Sequence, residues 1–159
     1  MSDPAVTTRD YFERARTWAA TGIFVAAALV ILGSFLDWVE VDALPPTIPA
    51  DQAARAEPFN GFDIGDGYWT AGAGLVLLVA AVLIVVRPAS RYPWWAFVAS
   101  VVAGGIAISD YRGIEQVFTD WGGIGNGPSP GIGLMLVAAG ALLGLISSVA
   151  AIAATPKES

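Results

Sequence analysis

The sequence predicts an all-α integral membrane protein: a four-transmembrane-helix bundle carrying an extracytoplasmic loop cap. Three observations predict it. Of 159 residues, 55% are hydrophobic and 14% charged, where a soluble domain carries about 25% charged residues. Four charge-free stretches, Trp18–Leu36, Trp69–Val86, Trp94–Ser109 and Gly131–Ala154, hold 19, 18, 16 and 24 residues, and about 20 cross a bilayer as a helix. None of them shows a polar helical face or strict apolar–polar alternation, which argues against a soluble bundle and a β-barrel.

The elements follow in order. Residues 1–17 read as a cytoplasmic tail with an interfacial helix, since Asp10 and Glu13 have the spacing of a capping signal and Tyr11, Ala15 and Trp18 share a face. Residues 18–154 form the membrane domain, with spans near 18–38, 68–86, 94–111 and 131–154, the third continuing outward through Asp110 and Tyr111. The first span is too long for the core of a signal peptide, and Trp38, Glu40, Pro45 and Pro46 make a poor cleavage region. Outer connections occupy 39–67 and 112–130, where glycine and proline are dense enough to predict turns. Arg87–Pro93 is a tight inner connection, and 155–159 is a second cytoplasmic tail.

Orientation follows from the positive charges. Arg9, Arg14, Arg16, Arg87, Arg91 and Lys157 fall on one side with four acidic residues, giving +2; Arg55 and Arg112 fall on the other with ten, giving −8. Both termini are therefore expected in the cytoplasm. All six tryptophans sit at span ends or in connections, as an aromatic belt requires.

The two halves resemble each other. Phe24-Val25-Ala26 and Asp37-Trp38 match Phe97-Val98-Ala99 and Asp110-Tyr111 at an offset of 73, and Gly72, Gly74 and Leu75 match Gly131, Gly133 and Leu134 at 59. Two repeated helical hairpins about an axis along the membrane normal would give this pattern, as would chance similarity among Ala/Gly/Val-rich helices.

Composition narrows the chemistry. Without cysteine or histidine the chain lacks thiolate and imidazole metal ligands and the usual general base, and a net charge of −6 argues against nucleic acid. No cofactor is expected, nothing resembles a nucleophile–base pair, and the chain reads as a non-enzyme. Asp63 and Asp66, in Asp63-Ile-Gly-Asp66-Gly67, are weak calcium candidates: the carboxylates are spaced by three rather than two, and the glutamate that closes a calcium loop is missing. Gly140, Gly144 and Ser148 on the fourth span, and Ala99, Ala103 and Ala107 on the third, are small-residue stripes. They suit packing within the bundle or a seam to a homo-oligomer or membrane-protein partner. Phe59, Phe62, Trp69, Phe118 and Trp121 lie in or beside the outer connections, and a disordered linker would lack such aromatics. With Arg112 they predict a folded cap that acts as a partner surface.

Trp38-Val39-Glu40 leaving the first span, Phe59-Asn60-Gly61 and Asp66-Gly67-Tyr68-Trp69 entering the second, and Gly131-Ile-Gly133 opening the fourth resemble small four-span membrane proteins of GC-rich, actinobacterial bacteria. Seven arginines against one lysine agree with such a source. The resemblance implies a location in the bacterial plasma membrane and carries over no activity. The expected function is that of an accessory or scaffold subunit working through its acidic outer connections. An oligomeric channel or small-solute transport component, and an envelope or ion sensor, are the alternatives.

Overall fold

Helix α1 (Thr8–Phe35) takes up the predicted tail helix and first span without a break. The computed structural model describes residues 8–40, 59–87, 91–120 and 129–155. After α1 the chain enters strand β1 (Asp37–Glu40), then β2 (Phe59–Asn60) and a single helical turn, α2 (Gly61–Ile64). Helices α3 (Asp66–Val86) and α4 (Arg91–Asp120) follow, then β3 (Ser129–Pro130) and α5 (Ile132–Ala153). Four of these helices are long and apolar enough to cross a membrane; the shortest, at 21 residues, measures about 32 Å at 1.5 Å per residue.

The four long helices form a ring. Helix α1 packs most closely on α5 and α3, α4 completes the ring against α5 and α3, and the diagonals touch little. That is an up-down-up-down bundle, with the start of α1 and the end of α5 at one end and the three described strands at the other. The arrangement has the connectivity of two consecutive hairpins, α1–α3 and α4–α5. Their likeness ends at the sheet: Asp37 and Trp38 are strand residues, whereas Asp110 and Tyr111 stay helical.

Packing is inverted relative to a water-soluble bundle. The buried faces of α3 and α5 are dominated by glycine, alanine and hydroxyl residues, while Leu75, Val79, Val82, Leu142, Ile146 and Val149 face outward. Small residues let backbones approach. A Cβ on Gly33 would lie 2.6 Å from the Gly133 carbonyl oxygen, and one on Gly133 would lie 2.7 Å from that of Gly33, so α1 and α5 touch backbone to backbone near the sheet.

Two boundaries differ from the sequence reading. Helix α4 starts at Arg91, because Pro93 falls in the first turn where its missing N–H is not needed. It also runs on to Asp120, through residues assigned above to an outer loop. Ile114-Glu-Gln-Val-Phe118 contains no breaker, and the glycine-rich run begins only at Gly122.

Candidate functional site

The sheet end is built from both outer connections. Strand β1 lies in the middle, antiparallel to β2 on one side (Asp37 opposite Asn60, Val39 opposite Phe59) and to β3 on the other (Val39 opposite Pro130, Glu40 opposite Ser129). The β1–β2 register is irregular between Asp37 and Val39, while the β1–β3 ladder continues into Gly131, whose N–H donates to the Trp38 carbonyl at 2.8 Å. One strand therefore ties together the start and end of the first connection and the end of the second.

Trp38 is the anchor of this cap. Its side chain is fully buried, and its indole Nε1 donates to the Gly33 carbonyl at 2.8 Å. A Cβ on Gly61 would sit 2.5 Å from the ring. The sequence placed Trp38 in an aromatic belt; it is instead a core residue, because a tryptophan three residues beyond a helix end can fold back onto the last carbonyls. Trp18, Trp69, Trp94 and Trp95 are exposed, as belt residues would be.

Local chemistry explains α2. Asn60 Oδ1 accepts from the backbone N–H groups of Phe62 (2.9 Å) and Asp63 (3.1 Å), and Asp63 Oδ2 accepts from Asn60 N–H (3.3 Å). This is a capping box. The turn ends at Gly65, whose φ of +97° costs other residues about 1–2 kcal/mol. Phe62 then packs between Phe35, tilted by 31°, and Tyr68, met edge-to-face, with ring centroids 4.7 Å away in each pair. Trp69 points outward nearby. Trp121 lies outside the described residues, as do the side chains of Phe59 and Phe118.

Below the sheet lies a polar layer that the sequence reading missed. Ser34 and Thr70 are fully buried, and their hydroxyls are 2.8 Å apart. One hydroxyl donates to the other, and the remaining proton points to a helix carbonyl, Val30 for Ser34 or Asp66 and Gly67 for Thr70. Asp66 and Asp110 lie near each other across α3 and α4. Oδ2 of Asp110 is closed off from solvent with no hydrogen-bond partner. The two aspartates are 44 positions apart, so no local spacing announces them.

The weak calcium candidates are thereby given different local roles: Asp63 closes the capping box and Asp66 faces Asp110. Among the described residues no three acidic side chains converge. The small-residue stripes point into the bundle. A Cβ on Gly140 would lie 2.8 Å from Val30 and 2.9 Å from the Ala26 carbonyl oxygen, and one on Gly144 would meet the Ser100 hydroxyl. Ser148, Ala99, Ala103 and Ala107 are buried as well. Arg112 is exposed on α4 at the sheet end.

The chain matches no known protein-family model, no curated protein and no solved structure.

Proposed function

We propose that this chain is a multi-pass protein of the bacterial plasma membrane, with both termini in the cytoplasm, and that it serves as a non-enzymatic accessory or scaffold subunit. The observation that carries this reading is the cap, in which both outer connections are joined through one strand over a fully buried tryptophan. A chain that needed only to anchor itself could join its helices with short polar turns. Bulky residues turned outward and small ones inward support the membrane location, because lipid rather than water would solvate that surface. The charge asymmetry supports the orientation: Arg14, Arg16, Arg87 and Arg91 cluster at the termini end, and acidic residues at the sheet end.

A channel through one copy finds no support in the bundle interior. Ser34, Ser100 and Ser148 each hydrogen-bond to a carbonyl of their own helix, and their neighbours are tightly packed. A second reading, an envelope or ion sensor, is favoured by the facing Asp66 and Asp110 carboxyls, since such a pair repels unless a proton or cation lies between.

Photo-crosslinking tests the scaffold reading in living cells. A photoreactive residue at Asp63, exposed on the cap, is expected to trap a discrete partner protein that the same probe at Val79, on the apolar flank, does not. Identical products from both positions would remove the cap as the contact surface.

A further inference from the structure

Beside the cap, α4 and α5 leave a groove of about 430 Å³ lined by Ala107, Ile108, Tyr111 and Arg112 on one wall and Pro130, Leu134, Met135 and Ala138 on the other. Its size falls at the small end of ligand pockets, roughly 300–1,000 Å³. The floor is the buried pair Ala107 and Leu134, and Ile108, Tyr111 and Met135 stand 53–58% exposed at the rim. From Pro130 to Ala138 it follows the helix for about 12 Å. Every lining side chain is apolar except Tyr111 and Arg112, and both lie toward the sheet end.

We infer that this groove holds one anionic phospholipid, its acyl chain against Leu134, Met135 and Ala138 and its phosphate on Arg112. The inference rests on the membrane reading above and adds a ligand to it. Charge complementarity selects the headgroup. Among the described residues Arg112 is the one basic side chain at the sheet end, amid Asp37, Glu40, Asp63, Asp66 and Asp110. A guanidinium donates a planar fork that matches two phosphate oxygens. The same surface repels anions elsewhere, so an acidic lipid has this position to prefer. The two sides of the bundle differ at this level. On the α1–α3 side Trp38 folds inward and Phe62 of α2 covers the helix ends, whereas its counterpart Tyr111 remains helical and splayed.

Native mass spectrometry of the detergent-purified chain, titrated with phosphatidylglycerol or phosphatidylcholine, tests the assignment. The unaltered protein is expected to take up one phosphatidylglycerol about fivefold more tightly than phosphatidylcholine, the range of a partly exposed ion pair. Arg112→Gln should erase that preference while leaving phosphatidylcholine uptake unchanged, and Met135→Trp, which fills the groove, should weaken both. Equal preference in the unaltered protein and Arg112→Gln would overturn the proposal. So would unchanged lipid uptake by Met135→Trp, including the case where that variant instead splits a dimer, since a second copy would then occupy the groove. Recovery of the chain in aqueous buffer without detergent would refute the membrane reading itself, a result separate from either lipid outcome.

Discussion

Trp38 joins three parts of the molecule: its side chain reaches the α1 terminus at Gly33 and the α2 turn at Gly61, and its backbone carbonyl holds the α5 entrance at Gly131. Truncation to alanine should cost about 3–5 kcal/mol, seen as a large fall in melting temperature of the detergent-solubilised protein. Trp38→Phe keeps most of the packing and loses the hydrogen bond, for about 1 kcal/mol. If both variants melted like the unaltered protein, the cap would contribute nothing to the fold. Gly144→Leu drives a side chain into Ser100 and Ala26; overpacking of this kind typically costs about 1–3 kcal/mol, and unchanged melting would mean that the α5 face is not packed as described. Asp110→Asn should raise the melting temperature by a few degrees, because an amide can donate to Asp66 where a carboxylate only repels it. A fall instead would indicate that a cation bridges the pair and would favour the sensor reading.

Elements were legible in proportion to their length. The four long helices follow from uninterrupted apolar runs, and α1 and α5 lie close to the boundaries read from sequence. The strands were not legible: β2 and β3 have two residues each, too short for any alternation, and β1 reads as Asp-Trp-Val-Glu beside a proline-rich stretch. Asn60 and Asp63 spell a capping box, but the apolar run that would mark a helix after it starts only beyond Gly65. Of the aromatic residues at these connections, Phe62 is packed between Phe35 and Tyr68 and Trp69 is exposed. What the pattern could not reveal is pairing over distance, whether of Asp66 with Asp110, Ser34 with Thr70 or Gly33 with Gly133. Each pair depends on helices joined through long connections, so only the assembled bundle brings it together. The backbone-to-backbone contact of Gly33 with Gly133 was hidden for this reason.

In the assembled chain, the strands join the described ends of both outer connections in a single cap, and the proposed orientation puts that cap outside the cell. A cysteine-free chain makes position simple to test. Gly113→Cys, in open space on α4, should react with a membrane-impermeant maleimide in intact cells, and Ala89→Cys, between α3 and α4, should react only after lysis. The reverse pattern would invert the topology.

Both statements meet in a single measurement. Glu40 and Ser129 face each other across β1 and β3, and opposed residues of antiparallel strands lie about 4.5–5.5 Å apart between Cα atoms, within disulfide range. With Glu40→Cys and Ser129→Cys combined, and a protease site inserted between α3 and α4, the account predicts a disulfide formed in growing cells without added oxidant, as an oxidising exterior allows. After cleavage the two halves should migrate together on a non-reducing gel and separate once intact cells are treated with a membrane-impermeant reductant. Halves that separate without any reductant would contradict the central claim.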